Sequence, residues 1–284
     1  VDGASDGVPA PPRELYEAGR GADVPLYINH MHDEGTLFAA VLAVAFPWQK
    51  SISLTHDTVD AMLHWAFGAN ASFTKELLQR YPRSKHSSPY DRLSRVITDS
   101  VFLCSAHRFA AAWSRRRPGS LYWAEHTFTT GSSRSHNAVS ALLHRDATYF
   151  LGAHHCLPTL QIFGSQYTDD STWTDIDQKN HDLLHCHLAR MFHCSNPGAE
   201  PSADCRRSLA TNGVMPLACE GLPEEATGPF AAFDPANPQR WQHNPSNHTP
   251  IVPSAEEQAL CRFWDAAPPM GFQPNACHGC SEAS

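Results

Sequence analysis

VPLYINHMHDEGTLF, running from Val24 to Phe38, changes character twice within a few turns of chain. VPLYIN (Val24 to Asn29) is a short apolar run rich in β-type residues, and it reads as a buried strand. HMHDEG follows as an acidic turn. TLFAAVLAVAF, beginning at Thr36, then has the composition and length of a helix. A strand, an acidic turn and a helix in that order open an α/β unit. In open α/β sheets chemistry sits just past the carboxyl ends of the strands, which is where Glu34 falls. The same residue also suits a plainer role, as an acid favoured by the dipole at a helix start.

The rest of the chain keeps this alternation. Helices are predicted in TVDAMLHWAFG and in FTKELLQRY, the latter stopped by Pro82. Asp91 to Arg117 has apolar residues at helical spacing throughout and reads as one helix ended by Pro118-Gly119. LYWAEHTF (Leu121 to Phe128) reads as a second strand, NAVSALLHRDATYF as a helix, and HDLLHCHLARMF (His181 to Phe192) as another, stopped at Asn196-Pro197-Gly198. Ser254, with Glu257 three residues on, predicts a capping box and a helix to Ala267. Residues 196–253 are proline-rich and read as irregular. Residues 1–23 read as a surface segment, and 268–284 as a Cys/Gly/Pro-rich tail.

Composition narrows the function classes. The chain has 284 residues, enough for a sizeable core, and carries 29 acidic against 21 basic residues for a formal charge of −8. That balance argues against nucleic acid or an anionic membrane as the main partner. The longest uncharged apolar run, Leu37 to Trp48, is far short of the roughly 20 residues of a membrane span. Nine cysteines and two sequons, at Asn70 and Asn247, together predict a secreted, disulfide-bonded and glycosylated chain. The odd count leaves one cysteine over.

A second stretch carries candidate chemistry: LGAHHCLPTLQIFG, Leu151 to Gly164. An acid followed by a histidine fits the Ser…Asp/Glu…His order of α/β-hydrolases, in which histidine takes the serine proton and the acid orients it. GASDG (Gly3 to Gly7) formally matches G-x-S-x-G. It lacks the preceding strand and following helix that a nucleophile elbow requires, so Ser5 is not assigned as nucleophile. His181 and His185 share a helix face at i, i+4 but lack a defined third ligand, and no metal or other cofactor is assigned. CHGC (Cys277 to Cys280) has redox spacing but lies in the tail, where a disulfide is the simpler reading.

The residues of these stretches resemble the type-B carboxylesterases, the family of cholinesterases and fungal lipases. VPLYINHMHDEGTLF resembles the family's "VP…IG…DEGTLF", whose glutamate is the triad acid and maps to Glu34. LGAHHCLPTLQIFG resembles "LGAxHGxELxYVFG", whose catalytic histidine maps to His155, with His154 on the variable position. ITDSVFLC (Ile97 to Cys104) and CRFW (Cys261 to Trp264) resemble segments whose cysteines are bridged in cholinesterases, which implies a Cys104–Cys261 disulfide. LYWAEHTF and MFHCSNPG fall where the family has "VYxYxF" and "FAxTGxPN". Two positions depart from the pattern: Cys156 stands for the glycine after the histidine, and Pro158 for the downstream acid.

The resemblance spans about Val1 to Phe263 and covers only the C-terminal half of the family's fold. It implies that residues 1–284 form the C-terminal part of an α/β-hydrolase fold, with an incomplete, parallel-type sheet and many helices. The implied function is that of a serine carboxylic-ester hydrolase acting on ester or lipid-like substrates. Glu34 and His155 would come from this chain, and the nucleophile from an N-terminal segment or a companion chain. Alone, the chain is expected to be inactive. The alternative implied by the same family is a non-catalytic binding or adhesion protein.

Overall fold

The computed structural model describes residues 9–10, 12–45, 54–130, 151–163, 174–198, 205, 207, 219 and 221–268. The elements follow in order: α1 (Pro12–Glu17), β1 (Leu26–Met31), α2 (Gly35–Ala45), α3 (His56–Phe67), α4 (Ala71–Arg80) and α5 (Pro89–Ile97). A π-helical segment, Thr98–Leu103, leads into α6 (Cys104–Arg116). Then come β2 (Leu121–His126), α7 (Leu157–Phe163), α8 (Asp175–Cys194), α9 (Glu224–Thr227), β3 (Arg240–Asn244), β4 (Asn247–Ile251) and α10 (Ala255–Asp265).

The four strands form one open sheet in the order β1-β2-β3-β4. β1, β2 and β3 are parallel, and β4 returns antiparallel at the edge. β2 is buried at every position, as a central parallel strand covered on both faces should be. Its alternation sorts its side chains into two layers. Leu121 and Trp123 meet Trp113 and Ala110 of α6 on one face, while Tyr122 and Ala124 meet Phe230 and Met191 of α8 on the other. A separate helical core, built on Phe67, Phe73, Leu77, Phe263 and Trp264, joins α3, α4, α5 and α10.

Two expectations need correction. Asp91 to Arg117 is not one helix: it is broken by the π segment, where the Ser100 hydroxyl returns to the Val96 carbonyl at 2.7 Å. The region 196–253 is not irregular throughout, because it holds the β3–β4 hairpin, with Pro250 on the edge strand where the ladder tolerates it. Of residues 1–23, those described are exposed or half-buried, and Tyr16 of α1 packs edge-on against Phe109 at 4.7 Å. The capping box of α10 is half formed. Ser254 caps the Glu257 amide at 3.0 Å, but the Glu257 carboxylate is drawn to Arg240 instead, at 2.6 Å. The helix expected over 137–150, the motif GASDG and the pair Cys277 and Cys280 lie outside the described residues.

Candidate active site

β1 and β2 run parallel and in register, Leu26 opposite Leu121 through Met31 opposite His126. The chain leaving β1 turns through His32, Asp33 and Glu34 into α2. Gly35 is required at this turn: a Cβ there would stand 1.9 Å from the Ser94 carbonyl of α5, so only glycine lets the helix start this close. The Gly35 amide instead donates to the Thr98 hydroxyl, on the first residue of the π segment, at 2.9 Å.

The loop bearing the two histidines is laced to this turn. The Asp33 amide donates to the Ala153 carbonyl at 3.0 Å, and the Ala153 amide donates back to Asp33 Oδ2 at 2.9 Å. Thr36 Oγ1 donates to the Leu151 and Asp33 carbonyls at 2.7 and 2.8 Å. Gly152 has φ +57, and a Cβ on it would stand 2.3 Å from Asp33 Oδ2. Asp33 and Thr36 therefore build the site, and neither was singled out in the sequence. Their three-residue spacing at a helix start is a signal that could have found them.

These contacts bring Glu34 and His155 together. Glu34 is buried, with its Oε1 accepting the Met31 amide at 2.8 Å and its Oε2 facing His155 Nδ1 at 2.6 Å. A carboxylate cannot donate, so Nδ1 carries the proton and Nε2 is left with its lone pair. Nε2 makes no hydrogen bond among the described residues, and the His155 side chain is 33% exposed. Its ring lies 4.9 Å from Phe38 of α2 and 5.1 Å from Phe102 of the π segment, both partly open to solvent. His154 is turned away and buried, with Nδ1 donating to the His155 carbonyl at 2.7 Å. The arrangement presents a proton acceptor, held in one tautomer by a buried carboxylate, against an apolar rim.

Cys156, next in the chain, has φ +68. That left-handed conformation is the one glycine tolerates, so a residue with a side chain sits where the backbone favours none. Its thiol is free and exposed, and partial burial and then the nearby Glu34 charge both push its pKa up.

The other predicted residues fall elsewhere. Cys104 and Cys261 are bridged, joining α6 to α10, and Cys186–Cys219 and Cys194–Cys205 are bridged as well. His181 Nδ1 and His185 Nε2 donate to the Gln161 and Ile162 carbonyls at 2.6 and 2.7 Å, which ties α8 to α7. Asn70 is exposed and caps α4, its Oδ1 accepting the Phe73 amide at 3.0 Å. Asn247 opens β4. A cleft of about 340 Å³, lined by charged side chains such as Arg80, Arg95 and Glu257, contains neither Glu34 nor His155. No helix among the described residues is long and apolar enough to cross a membrane.

A profile of the carboxylesterase family matches residues 1–184. Comparison with curated proteins finds no match. Among solved structures, the crystal structure of Aspergillus niger EstA superposes with a TM-score of 0.60 at 17% identity. The alignment covers 93% of this chain and 43% of that one, so the chain spans less than half the length of that structure. At that identity the likeness speaks to the fold, an α/β-hydrolase layout with an open mixed sheet and many helices. With the profile match extending over most of its length, the chain belongs to the carboxylesterase family.

Proposed function

We propose that this chain supplies the acid and the base of a serine carboxylic-ester hydrolase. The nucleophilic serine would come from an N-terminal segment or a companion chain. The observation that carries this reading is the 2.6 Å pairing of His155 Nδ1 with the buried Glu34 carboxylate, which leaves Nε2 open. His155 Nε2 would take the serine proton as the hydroxyl attacks the ester carbonyl, and would then return it to the departing alcohol. Glu34 would hold the imidazole tautomer and stabilise the imidazolium as it forms, without itself taking the proton. Phe38 and Phe102 would give the apolar wall that an ester or lipid-like substrate needs. Three disulfides fit a secreted protein, with Asn70 and Asn247 as its glycosylation sites.

One observation favours the second reading, a non-catalytic binding protein of the same fold. Cys156 holds a strained backbone beside the histidine, where the family resemblance places a glycine. Fluorophosphonate labelling of natively purified material separates the two. Label is expected on a serine of a co-purifying chain or segment, with Glu34→Gln lowering kcat by about 10³–10⁴-fold, as loss of the orienting carboxylate does elsewhere. Absence of label from every chain would move the assignment to binding.

A further inference from the structure

A second histidine cluster lies between the sheet and α8 and shares no residue with the Glu34–His155 pair. His243 of β3 and His248 of β4 are direct cross-strand partners in the hairpin register, so their side chains project to the same face. Their Nδ1 atoms are 2.9 Å apart. His187 of α8 comes down on them, its ring centroid 4.6 Å from that of His243 and 6.2 Å from that of His248. One ring nitrogen from each of the three lies within 4.8 Å of the others. The packing around them is aromatic. Phe230 lies 4.9 Å from the His243 ring, and Trp241 stacks on His248 at 4.4 Å.

The nitrogens are poorly satisfied for so buried a place. His187 and His243 are fully buried. Neither nitrogen of His187 makes a hydrogen bond of normal geometry, although the Ala226 carbonyl faces the ring, and His243 Nε2 has no partner either. Such buried polar atoms call for an explanation, an ion among them. The orientation of His248 supplies a second clue. Its Nε2 lies 3.0 Å from the Pro229 carbonyl. A carbonyl only accepts, so Nε2 carries the proton and Nδ1 presents a lone pair toward the cluster. Anchoring one imidazole nitrogen on a backbone carbonyl is how proteins orient histidine ligands of metals.

We propose that His187, His243 and His248 form a binding site for one divalent first-row metal ion of borderline softness, zinc above all. All three donors are imidazoles, a set that suits zinc, copper or nickel and not calcium or magnesium. Zinc–nitrogen bonds of about 2.0–2.1 Å in tetrahedral geometry would open the 2.9 Å Nδ1 pair slightly and draw the His187 nitrogen inward, which small side-chain rotations supply. The ion would take the place of the proton between the two Nδ1 atoms, and that proton would move to Nε2 of the same His243 ring, so that all three imidazoles bind as neutral ligands. Arg190, one turn along α8, lies close enough for its charge to act on His187, and its Nη1 is held by the Thr227 carbonyl at 2.8 Å. The role is structural: the ion clamps the β3–β4 hairpin to α8 and leaves the ester chemistry to other residues.

The test uses the full chain with its disulfides formed, purified without a metal-affinity step, stripped with chelator and titrated with zinc or cobalt. One zinc per chain is expected, with a rise in Tm. The cobalt form should show a tetrahedral visible spectrum with no thiolate charge-transfer band, which excludes Cys156 and the tail cysteines. His187→Leu should weaken zinc binding by more than the roughly 10–100-fold that an outer-shell change costs, while His181→Gln/His185→Gln leaves it unchanged. If His187→Leu fails to fold, the stoichiometry and cobalt spectrum of the unaltered chain decide. An unaltered chain that binds no zinc, a thiolate spectrum, or loss of binding in the His181/His185 variant would each overturn the proposal.

Discussion

Glu34 shows how one side chain can satisfy two physical demands. It stands at the start of α2, where the helix dipole favours an acid, and its two oxygens are divided between the Met31 amide and His155. The positions around it are set by close approach: Gly35 against α5 and Gly152 against Asp33 leave no room for a Cβ. Cys156 breaks that pattern, because its φ of +68 is a glycine conformation occupied by cysteine. Non-glycine residues held there cost about 1–2 kcal/mol. Cys156→Gly is therefore expected to stabilise the fold by about 1 kcal/mol, once the added freedom of glycine in the unfolded chain offsets part of the relief. Urea unfolding of the two proteins measures it. A destabilised variant would show that packing of the sulfur outweighs backbone strain.

At the scale of elements, the sequence made the strand–turn–helix frame and the Glu34–His155 pairing legible, because they rest on contiguous patterns and on family motifs in register. Two features escaped it. The π segment inside Asp91–Arg117 leaves the apolar spacing almost unchanged, and the contact its first residue makes, the Gly35 amide reaching the Thr98 hydroxyl, is a long-range one. The β3–β4 hairpin was hidden by prolines that an edge strand tolerates. Both features matter to the site: the π segment carries Phe102 to His155, and β3 carries Arg240 to a buried charge network at the strand ends. There Glu125 of β2 meets His32 Nδ1 at 2.6 Å and also pairs with Arg240, which in turn holds Glu257 at 2.6 Å. Burial pushes the Glu125 carboxyl up, but the His32 hydrogen bond and the Arg240 charge outweigh it and hold it well below the usual range. His32 is raised, chiefly by its hydrogen bond to Glu125. A histidine whose pKa is raised on folding stabilises below its unfolded value of about 6.5, and that contribution disappears as pH climbs through the folded value. His32→Gln, which keeps a donor but not the charge, should cost more stability at about pH 5.5 than at about pH 8.5. Equal costs at the two pH values, from denaturant midpoints, would remove the charge from the account.

Among the described residues, the two largest cores are tied together by a disulfide. The sheet with α6 and α8 makes one; α3, α4, α5 and α10 make the other, around Phe73 stacked on Phe263 at 4.5 Å. α10, the last element among the described residues, is held by Trp264 Nε1 donating to Tyr81 at 2.9 Å, by the pair Arg240–Glu257 and by Cys104–Cys261. That disulfide closes a separation of 157 residues. On a chain-entropy account, a loop of that size contributes about 4–5 kcal/mol by restricting the unfolded state. Cys104→Ala/Cys261→Ala should therefore lower unfolding free energy by about that amount, a large share of the ~5–15 kcal/mol a domain possesses. The loss should also be uneven in space. α10 and α3 should lose hydrogen-exchange protection first, while β2, buried on both faces, keeps its protection until global unfolding. A loss below about 1 kcal/mol, or protection falling uniformly across both cores, would mean that aromatic packing around Trp264 alone holds the helical core to the sheet.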